Sequence, residues 1–385
     1  IQKGIDIVAE GGTVNVAAGT YDEHLIIDKS NLNLMGEDKN TTIIDATQDS
    51  SWAVAKAGIL IGEYPLVDGV HGVTISGFTI RDAAIDETGG NFGGDKYGPG
   101  PGGLAGIQIY NSSNNTIENN MLINNYWQIW LVAEWPAAGY TECKNNRIAN
   151  NVIQNSENDG VYLYSDGGVY VENTEIANNE ISNAYGEFAS GVEFWGWPEG
   201  GDTPTISGTL IGGNLITGCT NGVRIREDVS DITGTSINFN NFITNTSYGL
   251  YNGVASTVDA SNNWWGDASG PTHASNTGGT GDPVTDNVDF SPWLGATLGT
   301  TPMTFVYLVT GTDPPPVPID TIAIVDISGG DAAQGTIGGT SGHPDAPSIS
   351  LFDGTGKTSV LSLDVYVTGY TSGMAHITVP YPDED

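Results

Sequence analysis

Most of this chain is written in short runs where apolar and polar residues alternate, broken by turn residues every few positions. The stretch GVTISGFTIRDA (72–83) is representative, and NLNLMGE (31–37) repeats its pattern, with Gly36 and Gly77 in the same slot. Alternation with a period of two marks a strand that buries one of its faces. No helical periodicity separates the runs, which argues against strand–helix–strand units and for an all-β chain. Residues 1–12 are the exception: Ile1, Ile5 and Val8 fall on one helical face, and Gly11-Gly12 ends the pattern. A short capping helix is predicted there. The chain opens inside it without a Met, so we expect sequence upstream of Ile1.

From residue 106 the runs acquire a register. A dipeptide recurs as Asn119-Asn120, Asn150-Asn151, Asn178-Asn179, Asn240-Asn241 and Asn262-Asn263, with Gly213-Asn214 in the remaining slot. The second residues, at 120, 151, 179, 214, 241 and 263, lie 31, 28, 35, 27 and 22 residues apart. Fixed phase with elastic spacing means stacked units joined by loops of unequal length. Steps of this size suit one three-sided coil each. Asparagine tolerates a left-handed backbone and can hydrogen-bond up a stack, so the repeat is architectural rather than chemical.

Phasing the coils separates core from surface. On the strand that opens with Gly, the inward positions are Ile107/Ile109, Ile129/Leu131, Val161/Leu163, Val192/Phe194, Val223/Ile225 and Leu250. One outward column reads Gln108, Trp130, Tyr162, Glu193, Arg224, Tyr251, and the next reads Tyr110, Val132, Tyr164, Trp195, Arg226, Gly253. Glu134, Trp135, Asp166, Glu187, Trp197, Glu227 and Asp228 follow in the loops. Aromatics stacked about 4.8 Å apart offer faces for sugar rings, and arginine can grip a carboxylate with two hydrogen bonds. The same columns also suit plain cross-strand ladders or a protein interface.

The stack is expected to end at VDASNNWWGDASGPTHASNTGGTGDPVTDNVDFSPWLG (258–295), with Trp264, Trp265 and Trp293 covering its open end. The Gly-rich stretch 84–106 reads as a long loop. The predicted domains are a β-helix over 1–298, a Pro-rich linker region over 299–320, and a small acidic β-sandwich-like domain over 321–385, incomplete at its end.

Charge narrows the partners. With 46 acidic and 11 basic residues the net charge is −35, which excludes binding a nucleic-acid backbone by counterion release. No apolar run approaches the roughly 18 residues of a membrane span. Acidity fits a salt-adapted or surface-exposed protein kept hydrated by its carboxylates, simple solubility, or weak Ca²⁺ sites at Asp-Gly turns such as Asp159-Gly160, Asp166-Gly167 and Asp353-Gly354. Methionines and histidines are too scattered for copper. Cys143 and Cys219 fall two layers apart, roughly 10 Å at about 4.8 Å per layer, beyond the reach of a disulfide, so free buried thiols are expected. Asn40, Asn111, Asn114 and Asn245 open sequons for glycosylation in a secreted protein.

IQKGIDIVAEGGTVNVAAGTYDEHLIID, GVTISGFTIRDA, NDGVYLYSDGG and NNWWGDASGP resemble the right-handed parallel β-helix superfamily, in the pectin-lyase-like sense, over roughly 1–295. The resemblance implies a right-handed parallel β-helix solenoid. Its members range from polysaccharide lyases, hydrolases and epimerases to surface proteins, and the NNWWG…FSPWLG ending is most similar to the surface proteins. Their enzymes carry substrate along an outer face of this kind. The hydrolase signature of clustered aspartates with Gly-His-Gly is absent here. The expected role is therefore structural, adhesive or assembly-related outside the cell, with a glycan or further copies of the chain as partner. The alternative is a lyase, epimerase or hydrolase of an acidic glycan. In that case Glu193, Arg224 and Arg226 are catalytic, Trp130, Tyr162, Tyr164, Trp195 and Trp197 bind substrate, and Asp166 and Asp228 hold Ca²⁺.

Overall fold

The computed structural model describes residues 1–298 apart from 52–53, 63–69, 92, 94–102, 134–141, 167 and 199–202. Beyond 298 it describes the backbone of five strands, Thr304–Tyr307, Ile322–Ser328, Thr336–Thr340, Ser362–Val367 and Met374–Thr378. The chain divides into two compact units, Ile1–Leu298 and Gly299–Asp385.

The first unit is a right-handed parallel β-helix. Successive short strands turn onto three different sheets of ten, eight and eight strands, then return to the first sheet one layer up. One coil runs Thr116–Glu118, Met121–Ile123 and Trp127–Ala133. The next runs Arg147–Ala149, Val152–Gln154 and Val161–Asp166, and each strand pairs in parallel with its counterpart below. We call these the first, second and third faces. A fourth short sheet, Glu142–Lys144, Tyr170–Glu172 and Thr205–Ser207, is added beside the middle coils.

The inward residues named above all have zero exposure and join one continuous core. The predicted cap is also present. Helix Gln2–Ile7 buries Ile5, and Ile1 and Val8 pack beside it. At the other end Trp265 is buried and stacks on Phe242 at 4.7 Å, while Trp293 packs partly buried against the core.

The asparagine pairs divide their labour. The first residue of each pair takes the left-handed backbone at the corner, with φ of 56° at Asn119, 57° at Asn150 and 55° at Asn178. The second is buried in a ladder. The Oδ1 of Asn151, Asn179, Asn214, Asn240 and Asn263 accepts both the backbone N–H and the side-chain N–H of the rung below. Each Nδ2 also reaches a carbonyl of the preceding coil, as Asn179 does to Ile148 at 2.9 Å. The sequence register needs one correction here. The rung is Asn240, not Asn241, so the steps are 31, 28, 35, 26 and 23. Phe239 takes the left-handed corner at φ 59° in place of an asparagine, and Asn241 starts the next strand, bonded to Leu298.

The ladders also correct two sequons. Asn245 is buried, with its amide held between Cys219, Ile216 and Asp282, and Asn111 is 9% exposed, so neither offers its side chain to a glycan. Asn40 and Asn114 are exposed. Both cysteines are free and buried, and burial pushes each thiol up to about 12.

In the second unit, Thr304–Tyr307 pairs antiparallel with Ile322–Ser328, which pairs with Ser362–Val367. Thr336–Thr340 pairs with Met374–Thr378. A strand thus falls inside the span predicted as linker. The Pro run at 314–316 dominated that reading, and it lies, like Asp353-Gly354, outside the described residues.

Candidate functional site

The two outward columns of the third face are built as expected. Trp130 pairs in register with Gln108 and Tyr162, Tyr162 with Glu193, Glu193 with Arg224, and Arg224 with Tyr251. Val132, Tyr164 and Trp195 align beside them. Exposure, however, splits the face in two.

Over the earlier coils the outward residues are buried. Tyr110, Trp127, Trp130, Val132 and Tyr162 form a second apolar cluster with Ala57, Leu60 and Ala105. Trp127 stacks parallel to Tyr162 at 5.5 Å and lies 4.6 Å from Trp130. The predicted subsites Trp130 and Tyr162, at 6% and 2% exposure, therefore do not line an open groove. The run WQIWLVA at 127–133 carried the signal, since a strand apolar on both sides is a strand buried on both sides. Glu134 and Trp135 lie outside the described residues.

Further along, the face opens. Trp197 is 52% exposed, and Tyr185 and Phe188 are 62% and 60% exposed. Tyr164, Trp195, Arg224, Arg226 and Tyr251 are half-buried among them. The Arg224 guanidinium sits between the rings of Phe188 at 5.2 Å and Tyr251 at 5.6 Å, and Arg226 lies 4.2 Å over Trp195. Each such cation–aromatic contact is worth about 0.5–2 kcal/mol.

Beneath the arginines is the buried carboxylate of Glu193. It accepts Ser190 Oγ–H at 2.7 Å and faces Arg224 at 3.3 Å and Arg226 at 3.8 Å. Ser190 also donates its backbone N–H to Asp159 at 2.9 Å, so one residue holds two buried acids. Burial raises the Glu193 carboxyl to about 7 against the pull of Arg224, Ser190 and Arg226. Asp159 is pushed well above the usual carboxylate range by burial and by the charge of Glu193. In the sequence Asp159 reads as a turn residue or a weak Ca²⁺ ligand and Ser190 carries no signal, because the bond that ties Asp159 to the strand of Glu193 runs between coils.

Asp228 pairs with Arg226 at 3.4 Å and accepts the Gly196 N–H, while Asp166 is buried at the end of its strand. Among the described residues, no group of three or more His, Cys, Asp or Glu side chains gathers as a metal site would. No helix among them is long and apolar enough to cross a membrane.

A raised carboxyl makes stability depend on pH. The neutral acid suits the fold better than the ion, so the contribution of Glu193 is full below about 4.5 and is lost as pH rises through about 7. Glu193→Gln is expected to melt with the wild type near pH 4 and to be more stable near pH 8 by about 1–3 kcal/mol. Melting curves that keep a constant gap across that range would contradict this.

Fold and face together define a class: a right-handed parallel β-helix protein whose third sheet is sealed at one end and open, aromatic and arginine-bearing at the other. No protein-family model matches the sequence, and no curated protein does. Among solved structures it is similar to the tailspike gp49 of the Acinetobacter baumannii bacteriophage Fri1, a capsular polysaccharide depolymerase. That match has 12% identity over 100% of this chain and 76% of that one, with a TM-score of 0.44. It is also similar to PfbA, a surface adhesin of Streptococcus pneumoniae, at 17% identity over 66% of this chain, with a TM-score of 0.45, and spans 64% of that chain. A polygalacturonase from Erwinia carotovora ssp. carotovora matches at 17% identity over 68% of this chain and 81% of that one, with a TM-score of 0.41.

Proposed function

We propose that this is an extracellular or cell-surface β-helix protein with an adhesive role, which holds a glycan on the open end of its third face. One observation carries the reading. The outward aromatics part into a sealed set, which acts as core, and a set centred on Trp195, Trp197, Phe188 and Tyr251, which stays accessible beside two arginines. Aromatic rings supply faces for sugar rings, and arginine supplies donors for hydroxyls and acids. Both carboxylates nearest the patch, Glu193 and Asp228, are engaged by Arg224 and Arg226, which favours holding a ligand over cleaving it.

A second reading, a polysaccharide lyase or hydrolase, is favoured by Glu193, whose carboxyl near 7 suits proton transfer at neutral pH. One panel of immobilised neutral and acidic polysaccharides tests both. The adhesive reading expects retention on at least one member, lost at least about tenfold in Trp197→Ala, with no shortening of the chains with or without Ca²⁺. Retention on none refutes it. Chain shortening that Glu193→Gln abolishes establishes the enzyme instead.

A further inference from the structure

The two arginines of the third face are held more loosely than the other two in the chain. Arg81 donates to Asp45 at 2.8 and 3.2 Å, and Arg147 to Glu118 at 3.0 Å. Arg224 approaches Glu193 only to 3.3 Å, and Arg226 approaches Asp228 only to 3.4 Å and Glu193 to 3.8 Å. Beside them are two buried donors with no hydrogen-bond partner, the Nε of Arg226 and the Nε1 of Trp195, in side chains that pack 4.2 Å apart. Buried donors normally find an acceptor. Two that lack one, side by side and next to exposed aromatics, describe a seat for an acceptor-rich group. Two acids border that seat: Asp228, 3.4 Å from Arg226, and Glu193, which faces both arginines and accepts Ser190 Oγ–H.

We infer that Glu193 is an internal competitor for a two-arginine anion seat. Ionised, it occupies Arg224 and shares Arg226 with Asp228; protonated, it releases Arg224 and leaves Arg226 to Asp228 alone, and the carboxylate or sulfate ester of an acidic saccharide lying on the patch takes its place. The inference rests on the glycan-binding reading above. The titratable and charged groups around Glu193 come from each element packed on it. They are Tyr162 one rung below, Asp159 from the turn before that strand, and Arg224, Arg226 and Asp228 from the coil above. Asp159 and Asp228 oppose ionisation of the cluster, and the arginines favour it. Burial decides the balance and places the proton uptake of Glu193 near neutrality. After release, Phe188 and Tyr251 still flank Arg224, and Trp195 still supports Arg226, so the donors stay directed at the patch. A free guanidinium then meets a carboxylate or sulfate with paired hydrogen bonds.

The test is a titration of the full chain at constant ionic strength, between pH 8.5 and 5.5, with three probes: oligogalacturonate, a sulfated dextran oligomer and an uncharged dextran oligomer. Affinity for the two anionic probes should rise by about tenfold or more as pH falls, while the uncharged oligomer shows no such trend. Glu193→Gln should bind the anionic probes at pH 8.5 as the wild type does at 5.5. Ser190→Ala should keep the gate but move its midpoint upward, because it removes a hydrogen bond that favours the ion. Parallel profiles for wild type and a folded Glu193→Gln overturn the inference. Should that variant fail to fold, an unmoved midpoint in Ser190→Ala overturns it. A flat response to the anions with saccharide still bound removes the gate alone. Binding of no saccharide at any pH removes both the gate and the adhesive reading.

Discussion

Asn179→Ala is expected to destabilise the β-helix by about 3–5 kcal/mol, whereas Asn178→Ala, one residue earlier, costs about 1 kcal/mol. The difference comes from what each side chain does. Asn179 is buried, its Oδ1 takes the N–H and Nδ2 of Asn151, and its Nδ2 serves Ile148 and Asn214. Removing it leaves several buried donors and acceptors unmet in a low-dielectric interior, each costing about 1–3 kcal/mol. Asn178 contributes a left-handed corner at φ 55°, which alanine adopts at a modest penalty. Chemical unfolding followed by circular dichroism measures both. Equal losses for the two variants would mean the ladder is an ornament of the corner rather than a support of the stack. In a solenoid each coil touches only its neighbours, so the loss should also localise, with exchange of backbone amides rising first around residues 151–214.

The architecture was legible because it is written locally. Period-two alternation named the strands, the asparagine slot phased the coils, and phasing placed every inward residue of the third face correctly. Two things escaped. At Phe239-Asn240-Asn241 the dipeptide is present but shifted by one, since a non-asparagine holds the corner. The slip shows in the ladder bonds of Asn240 and in the pairing of Leu215–Thr217 with Asn241–Ile243. The other was the outer face. Whether an outward aromatic meets solvent depends on what the neighbouring coils lay over it, which alternation within one strand does not encode. Hence Trp130 and Trp197 look alike in sequence, yet one is 6% exposed and the other 52%. Asp159 and Ser190 escaped for the same reason. Their importance lies in a contact between coils, where Ser190 joins Asp159 to Glu193.

Trp130→Ala should separate core from surface most sharply. Its ring is buried against Trp127 at 4.6 Å and Tyr162 at 5.8 Å, in the second apolar cluster. Truncating a buried tryptophan removes its transfer energy and leaves a cavity that rigid parallel strands close poorly. The expected loss is about 3–5 kcal/mol. Trp197 is half in solvent, and its truncation should change stability by no more than about 0.5 kcal/mol. Glycan retention should respond in the opposite order, with Trp197→Ala weak and a folded Trp130→Ala near wild type. Paired melting and retention measurements on the two variants give four numbers, and the adhesive reading requires them to cross. If Trp130→Ala were stable and glycan-blind, the sealed end, not the open one, would be the site.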